Sequence, residues 1–187
     1  MFEEFVAQNC KYFKVNDDKI SLACSAGQDD FNIPTLHSVS NIAYIGRDVV
    51  ENFTFQASCQ LHGTAKFDAA GIYLIIGGCR VKFGIENYGE SNYRIVAVRT
   101  TSLSDESSGS IIDSSSIDLI ATRESGIFSF YSKCDSKIRF ERAFAIDSNI
   151  STIKAGLFVQ SPFSENGACA DYKNISLTDQ AFGHVRS

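Results

Sequence analysis

The feature that most limits what this chain can become is a glycine pair set between two apolar runs. In Asp68-Ala-Ala-Gly-Ile-Tyr-Leu-Ile-Ile-Gly-Gly-Cys-Arg-Val-Lys-Phe-Gly-Ile-Glu86, Gly77 and Gly78 supply the positive φ angles of a two-residue primed turn, so the stretch predicts a β-hairpin. Residues 70–76 are apolar throughout, as suits a strand covered on both faces. After the turn the pattern alternates: Val81, Phe83 and Ile85 face one side, and Lys82, Gly84 and Glu86 the other. Leu74, Ile76, Val81, Phe83 and Ile85 are therefore expected in the core. The polar row carrying Lys82 and Glu86 is the first candidate for a site.

The two-residue period recurs along the chain. Strands are expected over residues 20–24, 41–45, 51–60, 93–100, 117–123, 127–132, 138–144, 153–161 and 172–177. In the third of these, Phe53, Phe55, Ala57 and Cys59 alternate with Asn52, Thr54, Gln56 and Ser58, the mark of a half-solvated antiparallel strand. Ile138, Phe140, Arg142 and Phe144 are expected to share one strand face. Four segments read otherwise. Phe2, Phe5 and Val6 suit one turn of an N-terminal helix, and Gln28-Asp-Asp-Phe-Asn-Ile-Pro34 suits a loop because Pro34 and the Asp/Asn run favour local turns. Residues 101–116, rich in Ser, Asp and Gly, suit a mobile loop, and residues 178–187 a surface tail. Many short strands, almost no helical period and no internal repeat give an all-β antiparallel two-sheet sandwich. The 187 residues are expected to form one domain over 1–187.

A net charge of −5 with no clustered Lys/Arg run argues against a nucleic-acid or anionic-membrane partner, since both need a concentrated positive field. No basic and apolar leader opens the chain, and no apolar run approaches the ~20 residues of a membrane span. The six cysteines are scattered, without a C-x-x-C pair, and are expected to be reduced thiols in the cytoplasm, with Cys59 and Cys79 as small core residues. Glycosylation triplets at Asn52, Asn149 and Asn174 carry little meaning without a secretory signal.

The order of these pieces resembles a domain of unknown function in the concanavalin A-like lectin/glucanase superfamily, some of whose fungal members are named for regulation of enolase. The resemblance rests on Asp68-Ala-Ala-Gly71 followed by Val81-Lys-Phe-Gly-Ile-Glu86. It extends through Asp118-Leu-Ile-Ala-Thr-Arg123, Phe130-Tyr-Ser132, Lys154-Ala-Gly-Leu-Phe-Val-Gln-Ser-Pro162 and Ala170-Asp-Tyr-Lys-Asn-Ile-Ser-Leu177, covering roughly residues 20–177. The chain departs from the family in having no Trp. The resemblance implies a jelly roll with one concave polar face, a fold used elsewhere for sugar binding and glycoside cleavage.

The residues themselves give less. There is no E-x-D-x-x-E triplet of the kind that places two carboxylates for glycoside cleavage. Glu86 and Glu90 are separated by a Gly-containing turn, and no catalytic residue is assigned. Lys82 and Glu86 lie ~13 Å apart along one strand at ~3.3 Å per residue. Each needs a partner from a neighbouring strand, and Arg94, Arg123, Arg142, Asp68 and Asp118 are available. That arrangement is either a solvated charge network or the polar floor of a site for an anionic or hydroxylated ligand. The candidate ligand-binding residues are Lys82, Glu86, Arg94, Arg142 and Tyr73, with Tyr88, Tyr93 and Tyr131 as further aromatic platforms. His37, His62 and His184 show no metal-ligand spacing, and the Asp29-Asp30 pair suits a solvated turn better than a calcium site, so neither metal nor cofactor is expected. The function expected is a non-catalytic binding module for a carbohydrate or sugar-derived metabolite. The alternative, implied by the resemblance, is a regulatory protein-interaction domain acting on a metabolic enzyme such as enolase.

Overall fold

In a computed structural model, which describes residues 4–49, 52–90, 92–146 and 152–182, the chain forms two seven-stranded antiparallel sheets packed face to face. The first sheet runs β1 (Val6–Gln8), β6 (Ala43–Val49), β15 (Ile153–Gln160), β8 (Ala69–Ile76), β9 (Cys79–Gly89), β10 (Asn92–Thr100) and β11 (Ser104–Ile112). The second runs β14 (Lys137–Ala145), β13 (Ile127–Cys134), β12 (Ser116–Glu124), β7 (Phe53–Leu61), β16 (Cys169–Thr178), β3 (Lys19–Ala23) and β2 (Tyr12–Asn16). A separate two-stranded ribbon, β4 (Asp30–Ile33) with β5 (His37–Ser40), belongs to neither. This is the expected all-β jelly-roll sandwich. No helix among the described residues is long and apolar enough to cross a membrane.

The glycine-centred hairpin is β8–β9, at the middle of the first sheet, with Ile76 paired to Cys79 across Gly77 and Gly78. Only Gly77 takes a positive φ, 56°, which is the sign pattern of a type II′ rather than a type I′ turn. Leu74, Ile76, Val81, Phe83 and Ile85 are all buried in the main core. The continuous apolar run of β8 follows from cover on both faces. Ala70, Ile72, Leu74 and Ile76 enter the main core, while Ala69 and Tyr73 join Ile42, Tyr44 and Phe158 in a second cluster on the outer face. All six cysteines are unpaired, and Cys59 and Cys79 are buried.

Four expectations need correction. Val6, placed in a helical turn with Phe2 and Phe5, lies in strand β1; Phe2 falls outside the described residues, as do Glu51, Ser91, the triplet at Asn149 and the tail from 183 with His184. The 28–34 loop contains strand β4, and the 101–116 loop contains strand β11, which adds to β10 through a ladder from Tyr93↔Ile112 to Thr100↔Ser104. Both faces of β11 are largely exposed, so it is held mainly by its ladder to β10 and by side-chain bonds to Ser104, Asp105 and Glu106 rather than by core packing. Finally, Ile138, Phe140, Arg142 and Phe144 do not share a face. The register against β13 steps from Phe130↔Arg142 to Tyr131↔Phe140, leaving Glu141 as the extra residue of a β-bulge. The bulge reverses the alternation. Phe140 meets the ring of Tyr131 outside, while Phe144 stacks on Phe128 against the core.

Tyr172 crosses the sandwich from β16. Its hydroxyl donates to Phe158 O on β15 and accepts from Gly71 N on β8 at 3.1 Å. Gly71 and Phe158 are direct cross-strand partners, so the phenol oxygen stands between two groups that a ladder bond would otherwise join. The backbones crowd here. A Cβ at Gly71 would lie 2.2 Å from Phe83 O, and one at Gly84 2.1 Å from Ala70 O.

Candidate functional site

Lys82 and Glu86 project from β9 onto the outer face of the first sheet, as the alternation requires. Burial then decides what each must do, because a charge removed from water needs a partner. Lys82, 3% exposed, donates to Asp29 Oδ1 at 2.5 Å and to Gln160 Oε1 at 2.7 Å. Its counter-charge comes from the segment leading into β4, not from Asp68 or Asp118 on the strands. Glu86 accepts from Arg94 Nε at 2.8 Å through Oε1, and Arg94 Nη2 also reaches Glu106 Oε1 at 3.2 Å. Burial pushes the Glu86 carboxyl above its ordinary value, and the Arg94 charge offsets part of that rise.

The ribbon β4–β5 stands over this face and is pinned by its acids. Asp30 Oδ2 accepts from Tyr73 Oη and from Arg80 Nε, both at 2.8 Å. Burial, then the adjacent Asp30 charge, pushes the Tyr73 phenol far up. The backbone of Asn32 donates to Ser104 Oγ at 2.8 Å, tying the ribbon to the start of β11. Asp29 and Asp30 are thus buried clamps, not a solvated turn. His37 Nε2 stands 3.3 Å from Asp29 Oδ2 but off the line of a hydrogen bond, which leaves an electrostatic contact only.

Between ribbon and sheet lies a cavity of about 180 Å³. Its floor carries Asp29, Lys82, Glu86, Glu106 and Gln160. One wall is a relay of rings: Phe31 to His37 at 6.3 Å, His37 to Phe163 at 5.2 Å, and Phe163 to Phe67 at 5.7 Å between centroids. Cavities of about 150 Å³ accept a benzene-sized ring, so this one has room for a single six-membered ring. Aromatic faces above, with fixed polar groups below, form a site that can hold such a ring and orient its substituents.

Of the five expected site residues, Lys82 and Glu86 line the cavity, Arg94 braces Glu86 from behind, and Tyr73 sits beside the floor with its hydroxyl committed to Asp30. Arg142 is elsewhere. It spans the two sheets at their edge, donating to Ala97 O at 2.8 Å and to Asp105 Oδ2 at 2.6 Å. The expected tyrosine platforms are not the wall either: Tyr131 packs on Phe140, and Tyr88 lies under Lys66 and Arg94 outside the cavity. Phe31, Phe67, Phe163, Gln160 and Glu106 were not expected in a site, and His37 was weighed only as a metal ligand. Of these, only Gln160 had a positional signal, because it falls in the strand expected over residues 153–161, now β15. No group of three or more His, Cys, Asp or Glu that could hold a metal occurs among the described residues.

The sequence profile of a family described as "Protein of unknown function (DUF1349)" matches residues 7–180. No curated protein matches the chain. Among solved structures, a functionally unknown protein from Saccharomyces cerevisiae aligns at a TM-score of 0.84 with 21% identity, covering 95% of this chain and 97% of the other. The GH43 protein BlXynB from Bacillus licheniformis aligns at 0.66 with 16% identity, over 86% of this chain but 33% of that one. A xylan β-1,4-xylosidase from Bacillus halodurans gives 0.66 with 11% identity, over 94% and 39%. The chain thus spans little more than a third of these two longer proteins, and at such identities the likeness is one of fold.

Proposed function

The chain belongs to the DUF1349 family of proteins of unknown function, and on that premise we propose that it is a non-catalytic binding module for a carbohydrate or sugar-derived metabolite. The observation that carries this is the ring-sized cavity with an aromatic wall over a hydrogen-bonded polar floor. The resemblance of the sandwich to carbohydrate-active β-sandwich proteins supports the same ligand class by analogy of fold. The acidic net charge of −5 supports a partner that is neither nucleic acid nor anionic membrane. Six unpaired thiols support a cytoplasmic setting, and a core shared by both sheets supports one domain over 1–187.

A second reading, a domain that regulates a metabolic enzyme such as enolase, draws on apolar side chains exposed on the edge strands: Tyr12, Phe13 and Val15 on β2, with Ile138 and Phe140 on β14. Ligand-observed NMR against a saccharide library decides between them. Hits should vanish in Phe163→Ala, at a residue 60% exposed, while thermal stability hardly changes. Hits that persist unchanged in a Phe67→Ala, Phe163→Ala double variant would sink the pocket reading.

A further inference from the structure

The cavity carries a charge pattern that narrows its ligand further than its shape does. Three carboxylates, Asp29, Glu86 and Glu106, line it, against one lysine, Lys82. Arg94 stands behind Glu86 and Glu106 and is bonded to both. Three negative charges against these two positive ones leave one negative, and His37 beside Asp29 can at most bring the sum to zero. Two further cations lie nearby but outside the lining. Arg80 is matched by Asp30, and Lys66 is exposed over the Phe67 and Tyr88 rings.

The hydrogen-bonding capacity left over has the same sense. Lys82 spends two of its three N–H groups on Asp29 and Gln160. Arg94 places its bonds on the Oε1 atoms of Glu86 and Glu106, so among the described residues each Oε2 remains an acceptor. A ligand entering here meets more acceptors than donors, and neither Lys82 nor Arg94 is free of a carboxylate. Beyond the third N–H of Lys82, an anionic group reaches a cation only by displacing Asp29 from Lys82 or Glu86 from Arg94, leaving a buried carboxylate unpaired.

We propose, resting on the binding-module reading above, that this cavity selects a neutral or amine-bearing sugar ring and rejects the corresponding sugar acid, with Glu86 and Glu106 as the residues that set the selection. Hydroxyl or ammonium donors of the ligand bond the two free Oε2 atoms, while the aromatic wall covers the apolar face of the ring. A carboxylate on the same ring meets those oxygens as a like charge.

The test is isothermal titration calorimetry at low salt and pH 7 with matched neutral, amino and uronic-acid forms of glucose, galactose and mannose, each run against the native chain and Phe163→Ala. For whichever ring binds, the acid should bind at least about tenfold more weakly than the neutral form, equivalent to about 1.4 kcal/mol. Glu106→Gln, at a partly exposed position, should shrink that ratio by raising acid affinity. An acid that binds as tightly as its neutral form overturns the selection and leaves the binding module standing. A ratio unmoved by Glu106→Gln removes that residue's role. Binding unaffected by Phe163→Ala, or no binding by any form, overturns the module and the selection together.

Discussion

Replacing Tyr172 with Phe should be costly although nothing but one oxygen is lost. The ring is fully buried, and Phe fills nearly the same volume, so the packing contribution is small. What remains are the N–H of Gly71 and the C=O of Phe158, each bonded to the phenol and each left inside the protein without it. An orphaned buried donor or acceptor costs about 1–3 kcal/mol, so two would cost about 2–6 kcal/mol. Closure of β8 on β15 can recover part by forming a direct rung, which sets the expectation at about 2–4 kcal/mol. For a chain of this length each kcal/mol lowers Tm by about 2–4 °C, giving a fall of about 4–16 °C. Urea titration at unchanged m-value measures the first number, and hydrogen exchange at the Gly71 amide locates it, since exchange there should accelerate beyond the global loss. A loss below about 0.5 kcal/mol with full protection at Gly71 would refute the reasoning, because it would mean that the strands pair as well without the bridge.

Two further outcomes follow from the same geometry. Gly84→Ala places a Cβ 2.1 Å from the backbone oxygen of Ala70 and should cost about 1–3 kcal/mol or more in chemical denaturation, whereas Gly78→Ala, with open space around its Cβ, should stay within about 0.5 kcal/mol; equal effects would remove the close-approach account. Burial pushes Asp171 up, but hydrogen bonds from Ser21, His62 and Lys19 together outweigh it and hold the carboxyl below its ordinary value. Between the folded and unfolded values the unfolded chain then holds more protons, so the stability contributed by Asp171 is present above the ordinary carboxylate range and fades as the pH falls through the folded value. The stability gap between the native chain and Asp171→Asn should accordingly be widest near pH 7 and close on acidification; a gap constant down to pH 2 would contradict it.

Period-two patterning made the large sheets legible wherever apolar side chains on one face alternated with polar ones on the other, as in β7 and β9. It failed where that asymmetry was missing. Strand β11 exposes both faces, so Ser, Asp and Gly sit there without penalty and read as a loop. Strand β4 opens on acids that resemble turn residues until their partners are known, and those partners, Arg80 and Tyr73, lie 50 and 43 positions away. The bulge at Glu141 reversed the parity of β14, and with it the placement of Arg142. In the cavity, alternation found Lys82 and Glu86, and the neighbouring strand supplied Arg94. The aromatic wall comes from connecting segments and from a misread strand, where no period marks which ring faces inward.

The ribbon that carries Phe31 and His37 of this wall lies outside both large ladders and is seated largely through side chains: Asp29 on Lys82, Asp30 on Tyr73 and Arg80, and the Asn32 amide on the Ser104 hydroxyl. Sheet integrity and pocket shape therefore rest on different sets of interactions. Over evolutionary time such a division lets the rim be rewritten, in length or in aromatic content, while the sandwich beneath keeps its register.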